Sequence, residues 1–225
     1  MRISVHQPAY LPWLGYLEKI KRSDVFVFLD TVQFEKNSFI NRNKIKTPQG
    51  ALWLTIPVLV KGHTQSNLSE TRIDSTQAWK DKHLKTIQQN YRKAPFFEAN
   101  YPKLQQLYQR NFDFLSDLCF EHLLFWLQEL QIQSHLVRSS NISISGDKSD
   151  LILNLCQHFS ATHYLSGALG KNYLEEKKFK EQGIQVEYQN FLPTKYPQLY
   201  GNFIPCLSIL DAWMNVSNTE FSSLN

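Results

Sequence analysis

The chain has 225 residues, of which 42% are hydrophobic and 20% charged. That is enough apolar material for a sizeable core, and it excludes wholesale disorder. The net charge of +4 suits an anionic small molecule and is too weak to argue for nucleic acid. Three scattered cysteines, Cys119, Cys156 and Cys206, support neither a disulfide framework nor a C-x-x-C metal site. No apolar run approaches a membrane span, and no signal-like apolar region opens the chain, so a soluble, cytoplasmic protein is expected.

Arg2 to Val5 reads as a short strand, and Pro12 suits the first turn of a helix over 13–21. Asp24 to Asp30 is a dense β-branched and aromatic run bounded by acids, the pattern of a strand buried on both faces. Strand, helix and strand within thirty residues predict a βαβ unit. Residues 39–46 and 51–58 flank the turn Thr47-Pro48-Gln49-Gly50 and predict a hairpin. The polar stretch 61–70 reads as a mobile loop.

The middle is helical by periodicity. Trp79, His83, Ile87 and Asn90 share a face of a helix over 77–91, which Pro95 ends. Helices over 101–109 and 112–131 follow, the latter with an apolar stripe through Leu115, Leu118, His122 and Trp126. The last third alternates again. A strand over 135–138 precedes a helix over 148–159 capped by Asp147. A strand over 162–165 precedes a helix over 173–182, with Asn172 as N-cap and Gly183 as C-cap. The strand 184–188 completes a second βαβ series. The expected fold is α/β, a mostly parallel open sheet with helices on both faces. It forms a single domain over 1–225, with a β-hairpin and a helical insertion over 77–131 in the middle.

Open α/β sheets bind ligands outside the carboxyl ends of their strands. Those ends carry His6, Gln7 and Tyr10; Asp30, Gln33 and Phe34; Ser139 and Ser140; Ser166, Gly167 and Gly170; and Gln189. His6 titrates near neutrality and suits an acid, a base or a phosphate ligand, or a plain hydrogen bond at a strand end. Asp30 suits orienting His6, holding a ribose hydroxyl or a metal, or capping the next turn. Ser166 to Tyr173 resembles a phosphate loop with Lys171 beside it, or a tight turn that uses glycine for positive φ. It matches neither G-x-x-x-x-G-K-[ST] nor G-x-G-x-x-G. Arg42, Lys44 and Lys46 alternate on one face of the first hairpin strand and either grip phosphate or form a solvated edge. His83 shares a face with Trp79, where core packing is the plainer reading. No H-E-x-x-H or G-x-S-x-G occurs, and Cys156 sits in an inert apolar setting. No cofactor or metal ligand set is assigned.

The stretch HQPAYLPWLGYLEKIKRSDVFVFLDTVQFEKNSFINRNKIKTPQGALWLTIPV, with the later blocks WKDKHLKTIQQNYRKAPFF, THYLSGALGKNYLEEKKFKEQGIQVEYQNF and FIPCLSILDAWMN, resembles the WbqC-like protein family over nearly the whole chain. The family's last block usually ends in glycine; here Asn215 leads to Val216 and Ser217. The resemblance implies a bacterial protein from gene sets for O-antigen (lipopolysaccharide) and other surface polysaccharides. It carries over no catalytic residue.

The gene-set association that comes with this resemblance motivates the expectation of a cytoplasmic transferase acting on a nucleotide-linked sugar, with N-acyl or aminoacyl groups as candidates for what is moved. His6 and Asp30 are its candidate catalytic pair. The expected substrate contacts are Gln7, Tyr10, Gln33, Arg42, Lys44, His83, Ser166, Gly167, Gly170, Lys171 and Gln189. Two alternatives stand beside it. One is a non-catalytic module for sugar nucleotides or a partner protein, using the 13% aromatic content for sugar stacking. The other is a nucleotidyltransferase-like nucleotide-binding protein, although the second histidine of H-x-G-H is absent.

Overall fold

In the computed structural model, which describes residues 1–59, 67–217 and 220, β1 (Arg2–His6) leads through α1 (Leu14–Lys21) to β2 (Val25–Phe28). β1 and β2 pair in parallel, with His6 opposite Phe28. The hairpin follows as β3 (Arg42–Thr47) and β4 (Gly50–Thr55), in a register running from Arg42↔Thr55 to Thr47↔Gly50. A short antiparallel pair joins β5 (Val58–Leu59) to β6 (Arg72–Ile73). Of the expected loop over 61–70, residues 61–66 lie outside the described residues, and Leu68–Glu70 forms a 3₁₀ turn. Three helices come next: α2 (Trp79–Tyr91), α3 (Phe97–Gln109) and α4 (Leu115–Leu130). The chain then returns through β7 (His135–Arg138), α5 (Lys148–His158), β8 (His163–Ser166), α6 (Glu176–Glu181), β9 (Gln185–Tyr188) and α7 (Ile209–Asn215).

The main sheet has the order β7-β2-β1-β8-β9, and every pairing in it is parallel. Renumbered by appearance within the sheet, the strands run 3-2-1-4-5, the doubly wound order whose direction of growth reverses beside strand 1. The reversal falls between β1 and β8.

The period of two in a strand divides β2 between two cores. Phe26 and Phe28 join α1, the hairpin, α2 to α4 and α7 in one buried cluster. Val25, Val27 and Leu29 pack on the other face with Leu151, Leu155 and Cys156 of α5 and Phe179 of α6. Each such side chain contributes about 1.5–3 kcal/mol by burial. An uninterrupted apolar run is therefore what a strand with helices on both sides requires.

Several local expectations are corrected. Pro12 lies outside α1, whose cap position is the extended Trp13. Asp147 occupies the cap position of α5 without a side-chain cap bond. Asn172 does not cap a helix, because Ala168–Asn172 is itself a 3₁₀ turn and α6 begins only at Glu176. The start of α3 is at Phe97 despite Pro102 inside it; Asn100 Nδ2 donates to Trp213 O at 2.7 Å and anchors that first turn. Gly183 does terminate α6. Its φ is +71°, its N–H donates to Lys180 O at 3.0 Å, and that of Ile184 to Phe179 O at 2.9 Å, a Schellman motif.

Candidate functional site

The parallel strands β1 and β8 end side by side, and the chain leaves them in diverging directions. Two cavities open there, of about 600 and 500 Å³. Both are lined by His6, Gln7, Lys19, Gly167 and Leu169. The larger is completed by side chains from α5 and β8, among them Ile152 and Tyr164. The smaller has aromatic walls, with Trp13, Tyr16, Phe39 and Phe191 around Gln189. This is the crevice at a topological switch point, where open α/β sheets bind ligands.

His6 ends β1 between the edges of Tyr16 and Trp13, at 4.8 and 5.8 Å between centroids. Its Nδ1 lies 3.0 Å from Gln7 O. A carbonyl only accepts, so Nδ1 carries the proton and Nε2 is left as an acceptor. Burial, reinforced by the nearby Lys19, lowers the imidazole from 6.5 to about 3. The ring is neutral at physiological pH.

Lys19, which the sequence reading did not single out, is the strongest feature of the site. It is 2% exposed. Its Nζ donates to Val5 O at 2.9 Å. Burial lowers its pKa from 10.5 to about 7, with Glu18 acting weakly in the other direction. Among the described residues no carboxylate lies within ion-pair distance of it; Glu18 Oε1 pairs with Arg22 at 3.0 Å, and its Oε2 accepts from Gln189 Nε2. Helical spacing carries the only sequence signal: Lys19 falls three residues after Tyr16, on the side of α1 that faces the core.

The structure brings together His6, Gln7, Gly167, Gly170 and Gln189 from the expected set and separates the others. Tyr10 does not face a ligand. It is fully buried, and its hydroxyl bonds Tyr108 and His83 Nδ1. His83 is likewise consumed, its Nε2 donating to Thr55 O at 3.1 Å. Its ring is lowered to about 4, chiefly by burial. Asp30 does not orient His6. Its oxygens accept from Arg138 Nη2 at 2.7 Å, Ser139 Oγ at 3.0 Å, and Ser140 N and Oγ at 2.9 Å each. Arg138 also pairs with Asp117 of α4 at 2.6 Å. Asp30 thus ties the end of β2 to β7 and, through Arg138, to the helical segment. Phe34 packs in the core, and Gln33 is exposed in a bridge with Asn67.

The basic face of β3 divides. Arg42 and Lys44 lie over the Trp53 ring at 4.2 and 4.8 Å and line neither of the two cavities. Lys46 is buried, donating to Asn202 O at 2.6 Å and Gln198 Oε1 at 3.0 Å, so it is neither a solvated edge nor a phosphate grip. In the loop after β8, neither Gly167 nor Gly170 has positive φ. Gly170 is needed for close approach: a Cβ there would fall 1.9 Å from the buried Ser166 Oγ. The Gly170 amide closes the turn on Gly167 O at 3.0 Å and is unavailable to a phosphate. Lys171 is exposed and lies 5.2 Å from the Tyr188 ring centre.

The family profile of WbqC-like proteins matches residues 7–223. The chain belongs to the WbqC-like protein family. It is 35% identical over 217 residues to the protein named Uncharacterized protein Rv1507c of Mycobacterium tuberculosis (strain ATCC 25618 / H37Rv), covering 96% of this chain and 94% of that one. No solved structure matches. The matched region of this WbqC-like chain begins at Gln7 and contains every residue of the cleft except those of β1 itself. Among its described residues no helix is long and apolar enough to cross a membrane.

Proposed function

We propose that this WbqC-like chain is a cytoplasmic transferase acting on a nucleotide-linked sugar in bacterial surface-polysaccharide synthesis, and that N-acyl or aminoacyl transfer is its reaction. The observation that carries this reading is the paired cavity at the β1–β8 switch point, with His6, Gln7 and Lys19 common to both halves. Such a crevice suits two groups meeting at one centre. The aromatic half offers ring faces to a sugar or base. In this reading the neutral His6 accepts an N–H or O–H of the bound sugar at Nε2 and takes its proton as that nitrogen or oxygen bonds to the donor's acyl carbon; the bond from the acyl carbon to its carrier breaks, and the carrier leaves with the electron pair and receives the proton. Asp30 has no part in the chemistry.

Strand order favours a second reading, a nucleotidyltransferase-like nucleotide-binding protein, because 3-2-1-4-5 is a nucleotide-binding arrangement. Fold analogy is its whole warrant.

Thermal-shift titration with UDP-, GDP- and dTDP-linked sugars, followed by native mass spectrometry, tests both readings. At least one nucleotide sugar should stabilise the protein in a saturable way. With an acyl or aminoacyl donor present, His6→Ala should lose turnover while keeping affinity within a few-fold. Affinity without turnover under any donor would leave a binding module, and no shift with any nucleotide at saturation would remove both readings.

A further inference from the structure

A lysine is almost never buried without a partner of opposite charge or a dense set of acceptors. Lys19 has neither. It is 2% exposed, it donates to one backbone carbonyl, Val5 O, at 2.9 Å, and it lines both cavities. An added Cβ at Gly167 would stand 3.9 Å from Nζ, so the loop after β8 runs directly beside the amine. The groups facing it from the surrounding elements are few. His6 of β1 and Glu18 on its own helix interact with it electrostatically, and Glu35 after β2, Lys148 of α5, Tyr164 of β8 and Tyr173 after it line the same cavity. Glu18 is spent on Arg22 and Gln189. A fold gains nothing from an uncompensated charge at the mouth of a cavity unless something that enters it supplies the compensation.

We propose that Lys19 is the anchor for an oxyanion of the diphosphate type, and that the ligand, not the protein, provides its counter-ion. The location rests on the nucleotide-sugar reading above; the oxyanion chemistry rests on Lys19 alone. An amine that titrates near 7 when the cavity is empty becomes fully protonated beside a phosphate, so binding takes up a proton. His6 shares the field: burial is the main cause of its low pKa and Lys19 the second, and an anion at Lys19 offsets that second part, making the ring a better proton acceptor.

The experiment is calorimetric titration of UDP-glucose, whose phosphates stay ionised throughout, in pairs of buffers with different ionisation enthalpies. At about pH 8 binding should take up about one proton per site, falling towards zero by about pH 6. Lys19→Met should weaken binding by about tenfold or more and abolish the uptake. Lys19→Arg, always charged, should bind without uptake. Nucleotide-sugar binding that ignores Lys19→Met, or that takes up no proton at about pH 8, overturns the inference and leaves the transferase reading standing. If UDP-glucose does not bind at all, that reading is weakened and inorganic pyrophosphate becomes the probe. Pyrophosphate bound by the parent and lost in Lys19→Met upholds the oxyanion site, and pyrophosphate bound by neither overturns it.

Discussion

Asp30 and Lys19 are both buried charges on the same working edge of one sheet, and they are treated in opposite ways. Asp30 follows β2 and is fully enclosed, with a guanidinium, two hydroxyls and a backbone amide turned on its two oxygens. Lys19 projects from α1 towards the end of β1 and meets one carbonyl. The first arrangement is complete and has no valence left for a ligand. The second is incomplete and opens on a cavity. From chemistry alone the carboxylate beside a strand end was the better catalytic candidate, but the count of partners reverses that order.

The most severe way to break the comparison is to empty the complete site. Asp30→Ala takes from Arg138, which is 20% exposed, the buried one of its two carboxylates, leaving it Asp117, and strips the Ser140 amide of its acceptor. The expected cost is about 3–5 kcal/mol, read as a fall in the urea midpoint, with affinity for any cleft ligand unchanged in the protein that remains folded. A loss under about 1 kcal/mol would mean that the clasp between β2, β7 and α4 is dispensable.

Emptying the incomplete site should do the reverse. The folded pKa of Lys19 is near 7 against 10.5 unfolded. The unfolded chain holds more protons between those values, so stability rises with pH across that window, and the full penalty is felt below about pH 7. Lys19→Met should therefore stabilise the protein by about 1–4 kcal/mol at about pH 6, and the gain should shrink by about pH 9. A residue whose removal improves folding and weakens binding is held for function. Equal stability of the two proteins at both pH values would place Lys19 among ordinary surface lysines.

The sequence made some of this legible and hid the rest for physical reasons. Asp24 to Asp30 was readable because a strand covered on both faces must be apolar throughout. His6 and Gln7 were readable because they end that strand's parallel neighbour. Tyr10 was misread because its partners His83 and Tyr108 arrive from 73 and 98 positions away, and no local pattern announces such bonds. Lys19 was missed because lysine on a short helix is ordinarily solvated. Only the strand order, which sets β8 beside β1, closes Gly167 over it. The phosphate-like look of Ser166 to Tyr173 misled for a similar reason, since its glycine is demanded by the Ser166 side chain rather than by an anion.

The finest test separates His6 from the other buried histidines. His6 and His122 are held near 3 and His83 near 4, each chiefly by burial. All three are neutral in the fold and take up protons on unfolding once the pH drops below about 6.5, so stability must fall with acid. His83 is bonded at both nitrogens and His122 is packed against Tyr10 and Tyr108, so replacing either disturbs packing as well as titration. His6→Gln keeps a polar group at the cleft and removes one titrating ring. Between about pH 7.5 and about pH 5.5 the variant should lose about 1.4 kcal/mol less stability than the parent, measured as the difference in denaturation free energy at the two pH values. Burial is the larger cause of the low His6 pKa and Lys19 the smaller, so saturating the cleft with an oxyanion, which offsets the charge on Lys19, should narrow that gap by a small part of it. An unchanged gap would mean that the imidazole and the amine, although they line the same cavities, do not feel the same ligand.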